Sequence, residues 1–279
     1  MGLGIETSIT NLIRGFRSGY RYKPDHHIVN DYCEFSGLGR KAVVRNIHKY
    51  KKLTHKDWYQ CVPGGSWEEK AKSFYGTSSS YVYDLLANNY SLSFVEAKLN
   101  GFDPEILRLI KAHLGNTTLE FGGGLGVFCE LMTQFGKQVT CLDIPGHVYD
   151  FAAWRFKRYN LPIEMICSSP TRLSLERQYD IIFTDAAFEH LVDPAQVLDE
   201  LISHLVPDGL FVFLVDLEGH TEELPMHRDI DIDSLHKQIL NLGLKNVINH
   251  NKFASIWVGP KNNLSNFDRH LERNQYANA

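Results

Sequence analysis

Leu119-Glu120-Phe121-Gly122-Gly123-Gly124-Leu125-Gly126 joins a short apolar run to an apolar helix, and Gln138-Val139-Thr140-Cys141-Leu142-Asp143 ends the next apolar run on an acid. A strand, a glycine corner, a helix and a second strand tipped by a carboxylate form a βαβ unit of the kind that grips a nucleoside. The glycines let the backbone come close to a ligand, because no Cβ intervenes. The helix start beyond them offers unpaired N–H groups and partial positive charge. Asp143 has the lone pairs to accept both hydroxyls of a ribose.

The details select among nucleosides. A dinucleotide fingerprint reads G-x-G-x-x-G/A, with a small third residue for close helix–strand packing. Counted from Gly122 the third position is Val127, and counted from Gly124 it is Cys129. Neither fits. Glu120 would repel a pyrophosphate, whereas it suits a cation bearing an α-amino group and a sulfonium. Glu120, Gly122, Gly124 and Gly126 fill all four fixed positions of acid-x-Gly-x-Gly-x-Gly. With Asp143 this resembles the nucleotide loop and ribose acid of the class I S-adenosylmethionine-dependent methyltransferases. The resemblance covers about residues 117–260. It implies S-adenosyl-L-methionine as cofactor, held by Glu120, Phe121, Gly122, Gly124, Gly126, Asp143 and Ile144. Ser168 or Ser169, after the third strand, would stand at the adenine, where the family often has an acid. Asp185 would end the fourth strand beside the ligand.

The 279 residues carry 43% hydrophobic side chains, enough for a sizeable core. No apolar run is long enough to cross a bilayer, and Met1-Gly2-Leu3-Gly4-Ile5-Glu6 has neither a basic nor an apolar signal region. A cytoplasmic location without membrane attachment is expected. Five cysteines without a C-x-x-C pair read as reduced thiols. The net charge of −4 is uneven: residues 1–60 hold 11 Lys/Arg against 5 Asp/Glu, and the remainder 18 against 28. The basic stretch suits an anionic acceptor, a nucleic acid, or a solvated helix face.

Three regions follow from the patterning: a helical N-terminal cover or lid over 1–115, a binding domain over 116–260, and a polar tail over 261–279. In the cover, Ile5, Ile9, Leu12, Ile13 and Phe16 recur at helical spacing. Residues 17–39 read as irregular, 41–52 and 79–99 as helices, and Ser66-Trp67-Glu68-Glu69 as a capping box. Asp103-Pro104-Glu105 opens a helix that Gly115 closes. Strands are predicted at 117–121, 138–142, 163–167, 179–184, 210–215, 246–250 and 253–258. Helices are predicted at 124–135, 146–159, 194–205 and 231–242. The alternation predicts an α/β fold with a doubly wound, mainly parallel, Rossmann-like sheet. The last two strands have no room for a crossover and should form an antiparallel hairpin; the resemblance implies seven strands in all.

Chemistry is sought at the carboxyl ends of the strands. After the fourth come Asp185-Ala186-Ala187-Phe188-Glu189-His190. Glu189 and His190 fit three roles: hydrogen bonds within the loop, contact with the acceptor, or metal binding. Some relatives bind metal with Glu-x-x-Glu-His, but Ala186 occupies the first of those positions, so no metal site is assigned. After the fifth strand, Pro225-Met226-His227 resembles the acceptor-facing loop of small-molecule methyltransferases. His227 is the leading catalytic candidate, with His190 and His220 beside it, because an imidazole accepts a proton near neutral pH. Tyr75, Tyr81, Tyr83 and Tyr90 suit either an acceptor pocket or the helical core. The resulting expectation is methyl transfer to a small-molecule acceptor. Its rivals are RNA or DNA methylation, for which no Asn-Pro-Pro-Tyr-type motif follows the fourth strand, intramolecular cyclisation of the same cofactor, and a non-enzymatic binding module.

Overall fold

The computed structural model describes residues 28–88, 104–169, 172–216, 219–250 and 254–261. The expected helix around Ile5 to Phe16, Tyr90 and most of the polar tail lie outside these residues. From Thr117 onward, strands β1 (Thr117–Phe121), β2 (Gln138–Asp143), β3 (Ile163–Cys167), β4 (Tyr179–Asp185), β5 (Leu205–Leu214), β6 (Lys245–His250) and β7 (Ala254–Val258) form one sheet in the order β3-β2-β1-β4-β5-β7-β6. β1 to β5 run parallel, and β7 pairs antiparallel with both β5 and β6. The predicted hairpin is thus present, and its second strand inserts beside β5.

Alternating side chains along each strand feed two cores. Ile181 and Phe183 of β4 face one side, with Val212, Phe128, Leu131 and Ile110. Ile182 faces the other, with Leu119, Phe211, Phe213, Leu198 and Ile239. Both faces being covered explains why the parallel strands read as near-continuous apolar runs. The strand order reverses around β1 and β4, so their carboxyl ends open a crevice at the topological switch point.

β5 starts five residues earlier than its apolar run indicates. Tyr179 pairs with Leu205, and the register resumes at Ile181 with Leu210. The Pro207-Asp208-Gly209 segment between them interrupts the hydrophobic pattern by which a strand is read. Gly115 also differs from its reading as a helix stop. The helix Pro104–Ala112 has already ended, and a Cβ on Gly115 would lie 2.3 Å from the Asp180 side chain. Asp180 needs that approach, since one of its oxygens accepts from the N–H groups of Asn116 and Thr117 and from the Thr117 hydroxyl.

The described N-terminal part is helical: α1 (Ile28–Ser36), α2 (Arg40–Ile47), α3 (Tyr50–Cys61), α4 (Trp67–Thr77) and α5 (Tyr81–Asn88). α1 occupies part of a segment read as irregular. Ile28, Val29 and Tyr32 form its buried stripe and pack with Phe151 and Val148 of the helix His147–Arg158. The single helix expected over 41–52 is divided at His48-Lys49. The capping box forms: Ser66 Oγ accepts from Glu69 N–H, and the Glu69 carboxylate accepts from Ser66 N–H. The lysines and arginines of α2 and α3 stand exposed to solvent. No helix among the described residues is long and apolar enough to cross a membrane.

Arg155 ties these helices to the nucleotide corner. It is 2% exposed. Its Nε donates to Asp31 of α1 at 3.2 Å, one Nη to the Leu125 carbonyl at 2.7 Å, and the other Nη pairs with Glu130. Two carboxylates and a carbonyl from three segments thus converge on one buried cation. Replacing Arg155 with Ala leaves the two acids without it in a dry site. The expected loss is about 3–5 kcal/mol of unfolding free energy, measured by urea denaturation; a change within experimental scatter would refute this role.

Candidate active site

A cavity of about 370 Å³ opens where the carboxyl ends of β1, β2 and β4 meet the helices before them. Its floor is the glycine loop. Gly122, Gly124 and Gly126 all have positive φ, near 71°, 53° and 74°. A Cβ on Gly122 would lie 2.6 Å from the Ala187 Cβ, so glycine there lets the loop after β4 close against the loop after β1. A Cβ on Gly124 would meet Leu85 at 3.6 Å and the Gly122 carbonyl oxygen at 4.0 Å, both ordinary contacts. Gly124 thus borders open space, and its φ, not crowding, calls for glycine.

Asp143 fixes the loop. One of its oxygens accepts from Gly124 N–H at 2.8 Å and the other from Ile144 N–H at 2.7 Å. Each retains a lone pair, and the residue lines the cavity. Glu120 is 6% exposed, lines the same cavity, and accepts from Cys129 N–H at 2.9 Å. Burial pushes its carboxyl up to about 8, against the pull of the Cys129 hydrogen bonds. Phe121, Gly122, Gly124, Ile144, Ser168, Ser169 and Asp185 also line the cavity. Ser168 N–H donates to the Asp143 carbonyl at 2.9 Å, which holds the β3 end in place.

Gly126 and His220 do not line it. A Cβ on Gly126 would lie 2.2 Å from the Phe156 ring, so its smallness serves helix packing and a left-handed N-cap. His220 is exposed, with Nδ1 3.3 Å from the His227 carbonyl, which removes it from any direct role at the cavity. Arg228 anchors its own segment to the loop after β4, its N–H donating to the Glu189 carbonyl and its guanidinium to the carbonyls of Leu191 and Val192.

His227 and His190 do reach the cavity, with ring centroids 4.8 Å apart. The Tyr75 hydroxyl lies 2.6 Å from His190 Nδ1. Burial, followed by the nearby His227, lowers His190 to about 3, so its ring is neutral at physiological pH. The neutral ring pairs with the Tyr75 hydroxyl through Nδ1. Tyr75 and Tyr81 line the cavity and cross edge to face at 5.0 Å, whereas Tyr83 belongs to the helical core. Tyr75 is delivered by backbone contact: a Cβ on Gly146 would lie 2.7 Å from the Tyr75 carbonyl oxygen. Sequence spacing gave no sign of this docking, since Gly76 and Gly146 belong to no motif.

Glu189 is 1% exposed and lines the cavity, yet neither of its carboxylate oxygens has a hydrogen-bond partner among the described residues. Burial pushes it up to about 8, assisted by Asp216 and Asp185. Ala186, one turn earlier, holds φ near 50° without being glycine. Backbone strain of this kind collects at functional sites.

Residues 119–213 match the family described as a methyltransferase domain. The chain is 31% identical over 176 residues to a malonyl-[acyl-carrier protein] O-methyltransferase of Bacillus cereus, spanning 61% of this chain and 60% of that one. It is 27% identical over 124 residues to a ubiquinone biosynthesis O-methyltransferase of Nitrobacter winogradskyi, spanning 44% and 47%. The chain thus spans about half the length of the curated relatives it matches. Magnesium protoporphyrin IX methyltransferase from Synechocystis, solved with bound S-adenosylmethionine, shares the fold at a TM-score of 0.50 and 12% identity, over 71% of this chain and 99% of that one.

Glu120 and Glu189 keep their protons to about pH 8 in the folded chain, whereas an unfolded glutamate loses its proton near about 4.3. Between those values the folded state binds more protons, so stability falls as pH rises. His190 opposes this only below about 6.5, where the unfolded imidazole is charged. Thermal melting of the ligand-free protein should therefore show stability dropping from about pH 6.5 to 8, by on the order of 1 kcal/mol per glutamate. Glu120→Gln should remove one share of the slope, and an unchanged slope would refute the burial of that acid.

Proposed function

Because this chain belongs to the class I S-adenosylmethionine-dependent methyltransferases, we propose that it transfers a methyl group from S-adenosylmethionine to a small-molecule acceptor. The observation that carries this reading is the pairing of Asp143 and Glu120 on the walls of one cavity, over a glycine loop whose backbone faces the space. The residues present fit the cofactor. Asp143 keeps lone pairs for a ribose diol while its other bonds anchor the loop. Glu120, costly to ionise alone in its buried position, gains a reason to ionise beside a positive α-amino group or sulfonium. Ser168 and Ser169 are assigned to the adenine end and Asp185 to the end nearest the acceptor.

When bound, the cofactor supplies an already activated methyl group on a sulfonium. The chain has then to align a nucleophile and exclude water. The helices α3 to α5 do the excluding, since Tyr50, Tyr75, Tyr81 and Leu85 close the cavity on their side. His227 is assigned to touch the acceptor. His190, too weak a base at neutral pH, positions the Tyr75 hydroxyl instead, leaving the phenol oxygen's lone pairs to orient the acceptor. The small-molecule acceptor is supported by the kinds of relative the chain matches and by the enclosure of the cavity.

Calorimetry tests the cofactor assignment. Asp143→Ala should weaken S-adenosylmethionine binding by about 30-fold or more, the equivalent of losing charged hydrogen bonds worth roughly 2 kcal/mol. Undiminished affinity would remove the basis of the assignment. Once an acceptor is in hand, Tyr75→Phe should lower kcat by about tenfold or more with cofactor affinity unchanged, consistent with the usual size of such hydrogen-bonded contributions. Equal kcat values would place Tyr75 in the packing alone.

A further inference from the structure

The cavity and the outer surface carry opposite charge. Outside, residues 40–56 present Arg40, Lys41, Arg45, Lys49, Lys52 and Lys56 to solvent and contain no acid. Inside, six carboxyl side chains line the cavity against two cations, Lys51 and Arg172. Lys51 is engaged with Glu223. Glu120 and Asp143 are already assigned to the cofactor, and Asp185 lies between. Asp84, Glu189 and Asp216 remain on the acceptor side.

Glu189 stands apart among these. Asp143 and Glu120 both accept backbone N–H bonds. Glu189 lines the same cavity, and its two buried oxygens meet no hydrogen-bond geometry among the described residues, with the backbone of Glu189 and Asp216 nearby. A buried acceptor left unsatisfied is costly, so a ligand that donates to it recovers that cost. His190 Nε2 stands 3.9 Å from Glu189 Oε1, and the rings of Tyr75, Tyr81 and His227 gather around that imidazole. A wall of acids beside aromatic rings favours an amine nitrogen over an anion.

Resting on the methyltransferase reading, we infer that the acceptor presents an amine nitrogen, held by the Glu189 carboxyl on the wall it shares with Tyr75, Tyr81 and His227. The acceptor's ammonium loses one proton to solvent as it enters, and the neutral amine then donates an N–H to the protonated Glu189. In this water-poor site the neutral amine and neutral acid are the favoured pair, because burial penalises both charged forms. The nitrogen lone pair then forms the N–C bond as the C–S bond breaks, with the electron pair of that bond left on sulfur. Positive charge moves from sulfur to nitrogen, and the product leaves as a methylammonium. Asp216 and Asp185 add negative potential where that charge develops. An acceptor with a carboxylate or phosphate at its reacting end is repelled by the same wall.

The test uses the full chain saturated with S-adenosylhomocysteine, after a calorimetric titration has shown that the product binds. Failure of that titration would bring down the methyltransferase reading and this inference together. A panel of arylalkyl amines, with their alcohol and carboxylic acid counterparts, is then screened by ligand-observed NMR. Amines should bind in preference to both counterparts. Glu189→Leu should weaken amine binding by about fivefold or more, the effect of losing a hydrogen bond to the nitrogen. It should leave S-adenosylhomocysteine affinity within about twofold, which also shows that the variant is folded. Transfer of label from methyl-labelled S-adenosylmethionine should follow the same order. The inference is overturned if alcohols or acids bind better than amines, if no amine in the panel binds, or if the variant binds amines as well as the parent.

Discussion

The carboxylate of Asp143 bonds to two backbone N–H groups, one from the loop after β1 and one from its own strand end. This places two strand termini in a fixed relation, and the rest of the site is built around it. Gly124 holds its left-handed turn because its N–H is claimed. Ser168, at the end of β3, adds a third terminus by bonding the Asp143 carbonyl. An ionisable side chain acts here as a structural joint and still keeps lone pairs toward the cavity. The joint and the proposed ribose contact are therefore two uses of one group, which links the rigidity of the floor to the recognition of the ligand.

The helices before β1 complete what the sheet begins. A parallel sheet offers its carboxyl ends as a crevice open to water. Three kinds of contact close it. Buried ionic contacts through Arg155 join α1 to the glycine corner. Apolar packing joins α1 and α5 to the helix that follows β2. Backbone-to-backbone approach at Gly76 and Gly146 sets the depth at which Tyr75 enters. The result is a cavity with acids on its walls beneath a basic outer surface.

That division of charge bears on the proposed chemistry. Burial raises Glu120 and Glu189 into the range where a carboxyl exchanges protons near neutral pH. It pushes His190 the other way and keeps it neutral. The same desolvation therefore raises two acids and lowers one imidazole within a single cavity. In the proposed function, the order of these groups from β2 across β1 to β4 and β5 separates those assigned to the cofactor from those assigned to the acceptor.

Local pattern alone determined the βαβ unit, six of the seven strands to within a residue or so, the antiparallel hairpin, and the acids Glu120 and Asp143. These follow from period-two burial, glycine conformation and the direction of parallel strands, all short-range properties of the chain. It misjudged β5, whose first half is broken by Pro207 and Gly209, and α1, whose short buried stripe is too brief to read. It also put His220 and Gly126 at the cavity, because residue type and spacing do not say which way a side chain turns. Only the tertiary structure decided that Tyr75 meets His190 across 115 residues, that Arg155 joins Asp31 to Glu130, and that the buried Glu189 oxygens at the cavity wall have no hydrogen-bond partner among the described residues. Those arrangements depend on packing between segments far apart in the chain, where distance and desolvation, not spacing, set what a residue does.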